Sequence, residues 1–481
     1  MNYYLQEAKR AEHLAVKLRE QNVYLETILR DEMQIEELSR LEKNFAQLIE
    51  MLLIKKAERE HFTVKLNSEI SQFTRFNKAK VRQTGLVADG WIELTLMENQ
   101  RSSFRQLPFT GDWEIDWQLA YTALQDLRDD LTLLPIDPYL VLPTGNNTSR
   151  EVTIGKLLAP ETVVSNILEC VADLDFTGSY AGGVVVRGYG DSSGQKHWFI
   201  TDSFNLDYSL FLISGQAVKG TFAGSDWHDS AYIAKINEGK EQLTMLSRLP
   251  KELPRGQYKT YFAPASVAEL LGMLSWGAIG EADIQQGNSA LAVLSRQEKK
   301  LSQKFSLKEN FKLGLVPRFN DLGEMAAQEF NLIEKGILVN SLVNSRTAKE
   351  YHKIANGANG SETLRSPEIS PGNLSFDNIL PSLDTGLYVS NLHYLNWSDR
   401  QIGRITGMTR YACFWVEKGE LVAPIDNLRF DESLYHFWGQ ENLVDLTNFQ
   451  EFIPEVGTYE SRQLGGSLVP GMLVNDFTYT L

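Results

Sequence analysis

The sequence predicts an α+β fold: amino-terminal helices and an antiparallel sheet domain, followed by a mainly β carboxy-terminal domain. Apolar residues recur by threes and fours in the first sixty residues, and the period changes to two after Phe62. Beyond Gly277, short apolar runs are separated by glycine, asparagine, proline and serine. Because strands and helices are grouped without strict alternation, α+β is favoured over a doubly wound fold.

Two amphipathic helices are predicted at the amino terminus. The first covers Tyr3 to Leu18, and a break at Gln21-Asn22 separates it from the second. The apolar positions of the second helix are Ile35, Leu38, Leu41, Phe45, Leu48 and Leu52. The pair either packs on its own sheet or leaves a helix exposed for a partner.

Alternating residues then predict strands and a hairpin. Phe62–Leu66 and Trp91–Leu96 have period two, and Glu98–Gln100 is a turn between strands. A helix is expected from Asp112 to Asp130, and Pro160 opens another through Ala172.

The segment Gly190–Gly194 formally matches G-x-S-x-G, the motif of a nucleophile elbow. The elbow requires a helix after the serine, whereas His197–Thr201 is strand-like. Since Val184–Arg187 is also strand-like, we interpret the segment as a hairpin turn. Ser209–Ala217 is predicted as a further strand.

Further along, helices are predicted at Asp229–Leu249 and Ser266–Leu274, with a strand at Tyr258–Ala263 between them. The polar stretch Asn356–Asn373 is predicted to be flexible.

The chain has 481 residues, more than a single core usually holds. We predict a helical extension over residues 1–60, an α+β domain over 61–250 and a mainly β domain over 251–481.

Composition excludes several classes of partner. The 47 lysines and arginines against 62 aspartates and glutamates give a net charge of −15, which repels a phosphate backbone. We therefore expect no direct nucleic-acid partner. No apolar run approaches the ~20 residues that span a bilayer, so no membrane association is expected. The charged amino terminus does not resemble a secretory signal, and Cys170 and Cys413 are expected as thiols in the cytoplasm.

No catalytic motif is recognisable. No two of the seven histidines have the spacing of four that His-Glu-x-x-His requires to bring two imidazoles to one metal. One alternative is an autonomous hydrolase whose site is assembled from distant residues, such as His393 or His436 with Cys413. No residues are predicted as catalytic, and the peptide-binding residues are unknown.

Seven segments between Phe62 and Leu481 share a pattern with one known family. They are Arg75–Gln100, Thr201–Asn205, Ala217–Ala223, Gly386–His393, Arg404–Arg410, Phe414–Pro424 and Leu468–Phe477. Together they resemble the TldD/PmbA family, also called the modulator of DNA gyrase family, and the resemblance covers about Phe62 to Leu481.

In the TldD branch, a helix after a strand carries His-Glu-x-x-x-His, with two zinc ligands and a general base. If Leu270-Leu271 aligns with the leucine pair before that motif, its positions hold Gly272, Met273 and Gly277. None of these can bind zinc. Glu269 is a lone carboxylate and is not predicted to be catalytic.

The resemblance therefore implies a PmbA/TldE-like member of a metallopeptidase family, inactive alone. It implies no cofactor in this chain and zinc only in a TldD-like partner. The expected partners are such a paralogue or a second copy, together with unfolded peptide. A homodimeric peptide-binding module without a catalytic partner is the other alternative.

Overall fold

The computed structural model describes residues 36–459 and 461–480. The helix predicted at Tyr3–Leu18 lies outside the described residues. Within them, helices surround two β-sheets, and the second half of the chain is rich in strands, which confirms the predicted α+β class. None of the described helices has the length and apolar character needed to cross a lipid bilayer.

The first sheet has seven strands among the described residues, in the order β3-β2-β1-β5-β6-β4, with β7 also paired to β6. Its pairs are antiparallel except β4 with β6. The strands are β1 (His61–Asn77), β2 (Lys80–Glu98), β3 (Arg101–Pro108), β4 (Thr148–Thr153), β5 (Asp175–Asp191), β6 (Lys196–Phe211) and β7 (Ala217–Gly224). The helices of this half are α1 (residues 36–55), α2 (Trp113–Leu131), α3 (Val163–Leu168) and α4 (Asp229–Leu246).

The second sheet has thirteen strands in the described part of the chain, and β20 and β8 lie at its centre. The strands are β8 (Gly256–Phe262), β9 (Leu307–Asn310), β10 (Glu329–Glu334), β11 (Ile337–Leu338), β12 (Pro367–Ile369), β13 (Gly386–Val389), β14 (Asn391–Asp399), β15 (Arg404–Arg410), β16 (Phe414–Glu417), β17 (Glu420–Pro424), β18 (Arg429–Ser433), β19 (Leu443–Pro454) and β20 (Gly466–Tyr479). Its helices are α5 (Pro264–Gly272), α6 (Glu281–Gln285), α7 (Ala292–Ser295), α8 (Ser345–Tyr351), α9 (Ile379–Leu383) and α10 (Leu434–Phe437).

The two faces of the first sheet contact different partners. Val184 and Val186 of β5 belong to the buried cluster that includes Leu48 of α1. Because side chains alternate along a strand, Arg187 and Tyr189 point to the opposite face. There the ring of Tyr189 lies 6.5 Å from that of Phe319, which follows β9. The first sheet is thus enclosed between its own helices and the second half of the chain.

The two predicted hairpin turns are confirmed. Asn99 and Gln100, between β2 and β3, both have positive φ, at 49° and 60°, as a two-residue hairpin turn with matching twist requires. In the G-x-S-x-G segment, the Asp191 carboxylate accepts hydrogen bonds from the backbone N–H of Ser193 and Gly194, at 2.8 and 3.0 Å. The serine of the motif, Ser192, accepts the Phe62 N–H at 3.1 Å. This segment is a turn between β5 and β6.

Some predicted bounds were wrong. The helix expected from Pro160 covers only Val163–Leu168. The strand expected at Ser209–Ala217 is interrupted after Phe211 by a turn in which Gly215 has a φ of +90° and donates its N–H to the Leu212 carbonyl. Because apolar residues lie on both sides of this turn, the end of β6 and the start of β7 were predicted as one strand.

The prediction of a flexible segment at Asn356–Asn373 was also wrong. Arg365 donates hydrogen bonds to four backbone carbonyls, including those of Phe319 and Gly357. Glu362, 4% exposed, accepts the backbone N–H groups of Ala282 and Asn344. Hydrogen bonds to residues that are distant in the sequence hold this polar segment in place.

Candidate functional site

Helix α5 occupies the place where the resemblance puts the metal-binding helix. Strand β8 ends at Phe262, Ala263 has an extended backbone, and Pro264 is the first helical residue, where its missing N–H costs no hydrogen bond. Val267 and Leu270 are completely buried in the core of the second half. This packing fixes α5 against the central strands, so that its two ends face two different cavities.

The three motif positions do not share one helical surface. The α-helix ends at Gly272, a 3-10 turn covers Met273–Ser275, and Gly277 has a left-handed φ of +81°. Met273 is 4% exposed and packs in the core. A Cβ added at Gly277 would lie 2.8 Å from the guanidinium of Arg400.

Only Gly272 borders open space, because a Cβ there would meet no atom within 4 Å. The residues at the three positions do not fit a zinc ion, since two glycines and a buried thioether supply no imidazole or carboxylate. Among the residues that the structure describes, no three histidine, cysteine, aspartate or glutamate side chains cluster as metal ligands would.

A polar cavity of about 450 Å³ lies at the end of α5, between the two halves of the chain. Gly272 and Ser275 line one side, and Arg187 of β5 lines the other. The Arg187 guanidinium donates to the carbonyls of Val186 and Arg462, at 2.9 and 3.3 Å. Burial lowers the pKa of Arg187 to about 10, so the side chain stays charged at neutral pH. The polar cavity therefore presents a cation to its contents.

Glu269 lies on the exposed side of α5, one turn before Gly272. The surrounding protein and the nearby carboxylate of Glu455 raise its pKa. Glu455 also lines the polar cavity. In the described part of the chain, Glu269 belongs to no group of three side chains that could hold a metal ion.

A second, larger cavity, which we call the aromatic cleft, lies at the start of α5 and has a volume of about 780 Å³. Helix α4 and strand β7 form one wall, and strands of the second sheet form the other. Six aromatic side chains line it: Tyr208, Tyr261, Phe376, Tyr388, Phe414 and Phe449. The volume is within the range of small-molecule and peptide side-chain sites.

Three charged side chains meet in the aromatic cleft. The Nζ of Lys235 on α4 lies 2.8 Å from Oε2 of Glu451 on β19, and 3.7 Å from Oε2 of Glu238. Burial alone would lower the pKa of Lys235, but the two carboxylates outweigh it and raise that pKa. Burial raises the pKa of Glu238.

Sequence reasoning missed this cluster. Only the spacing of three between Lys235 and Glu238 on a predicted helix was visible, and such pairs are common on solvated surfaces. Glu451 joins them from 216 residues away.

The residues of the alternative hydrolase are not assembled as a nucleophile and base. Cys413 is 2% exposed, its Sγ donates to the Arg410 carbonyl at 3.2 Å, and burial raises the pKa of its thiol. The Nδ1 of His436 lies 2.9 Å from a carboxylate oxygen of Glu432. The ring of His393 lies beside that of Tyr394, with the centroids 4.1 Å apart and the ring planes at 51°. An activated cysteine needs a lowered pKa and an adjacent base, which this arrangement does not supply.

The described residues thus form a two-sheet α+β protein in which a central strand is followed by helix α5 and then by Gly272, Met273 and Gly277. Residues 255–481 match the family described as PmbA/TldA metallopeptidase C-terminal domain. The carboxy-terminal half of the chain therefore belongs to the TldD/PmbA family.

The similar proteins carry related names. The chain is 27% identical over 234 residues to the metalloprotease PmbA of Escherichia coli O157:H7, a match that spans 48% of this chain and 48% of that relative. The fold resembles the crystal structure of TldE from Thermococcus kodakarensis, with a TM-score of 0.75, 14% identity and coverage of 91% of this chain and 100% of that chain. It also resembles a candidate modulator of a DNA gyrase from Thermotoga maritima, with a TM-score of 0.70, 15% identity and the same coverages.

Proposed function

We propose that this chain is a non-catalytic, PmbA/TldE-like subunit that pairs with a TldD-like zinc peptidase and helps to hold unfolded peptide substrates. The observation that carries the proposal is the geometry after α5. Gly272, Met273 and Gly277 offer no ligand atoms, and the helix that would present them ends at the first of the three. Zinc and the general base would belong to the partner.

The peptide part of the proposal is supported by the two cavities at the ends of α5. One is polar and the other aromatic, and both lie between the two halves of the chain. Within the described sheet, strand β7 pairs only with β6, so its outer edge has no partner strand, and β7 lines the aromatic cleft. Main-chain pairing along a strand edge tolerates many peptide sequences.

Two related names favour the peptidase context: one relative is called a metalloprotease, and one structural neighbour is called TldE. A cytoplasmic location is part of the proposal, since Cys170 and Cys413 are free thiols, as a reducing compartment would keep them. The buried, hydrogen-bonded Cys413 disfavours the autonomous hydrolase.

The test measures zinc content and cleavage of an unfolded peptide by the purified chain, by a TldD-like paralogue and by their mixture. We expect no stoichiometric zinc and no cleavage by the chain alone, and a changed cleavage rate in the mixture. The triple variant Gly272→His, Met273→Glu, Gly277→His carries the residues of the His-Glu-x-x-x-His motif. We expect it to gain no zinc, because the helix ends before the last of these positions. One chelator-sensitive zinc ion per wild-type chain, with cleavage by that chain alone, would overturn the proposal.

Size-exclusion chromatography with light scattering separates the pairing alternatives. A mixed complex with the paralogue supports the subunit. A stable homodimer that binds peptide and ignores the paralogue would favour the homodimeric module.

A further inference from the structure

The aromatic cleft contains more negative than positive charge. Two lysines line it, Lys219 and Lys235, against four carboxylates, Glu238, Glu241, Asp377 and Glu451. Lys219 is already paired, because its Nζ lies 2.5 Å from a carboxylate oxygen of Asp207 outside the lining. A ligand that complements the aromatic cleft is therefore positively charged.

The excess charge is concentrated around one ammonium group. Lys235 contacts Glu451 closely and Glu238 at a longer distance, 2.8 against 3.7 Å. A single positive charge cannot neutralise two carboxylates, and the remaining charge is poorly solvated beside aromatic rings. The raised pKa of Glu238 has the same physical origin. A second cation at this point would stabilise the ionised form of both carboxylates.

The aromatic walls suit a cation attached to an apolar chain. The rings of Tyr261 and Tyr388 lie 5.3 Å apart, and those of Phe376 and Phe449 lie 6.1 Å apart on another wall. Ring faces attract ammonium groups and also pack against aliphatic and aromatic side chains. The lining thus combines an apolar surface with one negatively charged position, where the carboxylates of Glu238 and Glu451 lie.

Strand β7 favours a peptide over a lipid or a small amine as the ligand. Val218, Lys219 and Gly220 of β7 line the aromatic cleft, and the outer edge of β7 has no partner strand among the described residues. An extended main chain can hydrogen-bond to this edge, whereas an alkyl chain cannot.

We propose that the aromatic cleft binds an apolar peptide segment through an ammonium group, either a free amino terminus or a lysine side chain, held by Glu238 and Glu451. The inference rests on the proposed function only in taking a peptide as the ligand. It requires neither a partner subunit nor the absence of zinc.

The test measures binding of labelled peptides to the purified full chain by fluorescence anisotropy. The probes are a tetrapeptide amide of alternating leucine and phenylalanine with a free amino terminus, its acetylated form, and an acetylated form with one lysine. We expect acetylation to weaken binding at least about tenfold, and the lysine to restore it if the side chain is the source of the ammonium.

Two substitutions with opposite signs locate the site. Glu451→Gln should weaken binding of the free-amine peptide about tenfold and leave the acetylated peptide unaffected. Lys235→Met frees both carboxylates, so it should strengthen binding of the free-amine peptide. Glu420→Gln on β17 is the matched control, because this exposed carboxylate does not line the aromatic cleft. Circular dichroism and thermal melts of each variant check that it folds.

Equal affinity for all three peptides would overturn the inference while leaving peptide binding intact. A different result is that no peptide binds, whereas octylamine binds more weakly to Glu451→Gln and more tightly to Lys235→Met. That result would support the ammonium site and contradict the peptide binding of the proposed function. Unchanged affinities in both Glu451→Gln and Lys235→Met would place the ligand elsewhere and overturn the inference.

Discussion

Arg462 should be among the most important side chains for stability, because it joins the loop between β19 and β20 to the first sheet. The residue is 2% exposed. Its guanidinium donates to the carbonyl and hydroxyl of Ser203, both at 2.8 Å, and to the Gly183 carbonyl at 3.1 Å. Its backbone N–H donates to the carboxylate of Glu69 at 3.2 Å. One side chain thus satisfies acceptors on two neighbouring strands.

Arg462→Ala should lower the free energy of unfolding by about 3–5 kcal/mol, because hydrogen bonds from a charged donor contribute about 1.5–3 kcal/mol each. Gly183 and Ser203 would each lose such a bond, while Arg187 would stay beside Glu69 as its remaining cation.

The assay is urea denaturation followed by tryptophan fluorescence and by circular dichroism. Arg429→Ala is the control, since Arg429 is exposed and its side chain makes one long contact, 3.4 Å to Thr406, so that the loss should be below about 1 kcal/mol. A loss below about 1 kcal/mol for Arg462→Ala would show that the buried hydrogen bonds of this guanidinium contribute little to stability.

The remaining predictions concern the helix end, an ion pair and a thiol. Gly272→Ala should stabilise the chain by about 0.5–1 kcal/mol, since this helical glycine borders open space, whereas Gly277→Ala should destabilise it by about 1–2 kcal/mol because its φ is +81°. Thermal melts of the two variants should move in opposite directions, and shifts of the same sign would contradict this. Glu60→Gln breaks the paired hydrogen bonds that Arg128 donates to the carboxylate, at 2.6 and 2.8 Å. It should lower the free energy of unfolding by about 2 kcal/mol, a value between those of exposed and buried ion pairs. The ion pair with Arg128 lowers the pKa of Glu60 in the folded state. The stability that this ion pair contributes is therefore complete at pH values above the ordinary glutamate pKa, and it is lost as the pH falls through the lowered pKa. Urea midpoints of Glu60→Gln and wild type should therefore converge in acid, and a constant difference would contradict the assignment. Cys413 should resist Ellman's reagent until the chain unfolds, since it is buried and its thiol pKa is raised; fast labelling in the native chain would reopen the hydrolase alternative.

The sequence alone predicted the features that depend on neighbours along the chain. The turn at Asn99-Gln100 and the helix from Asp112 were visible because alternation, turn residues and a capping aspartate act within a few residues. That Gly272, Met273 and Gly277 have no imidazole or carboxylate follows from the sequence alone, whereas their correspondence to the zinc positions of the TldD branch stays a prediction.

Tertiary structure decided the features that depend on distant neighbours. Asn356–Asn373 has a loop composition, yet Arg365 orders it through carbonyls of separate segments. Lys235 and Glu451 are 216 residues apart and meet only because the two sheets pack around α5. Local periodicity reports which face of an element is buried, but not which other element covers it. The aromatic cleft therefore had no counterpart in the sequence pattern, and its charge became apparent only after both walls were in place.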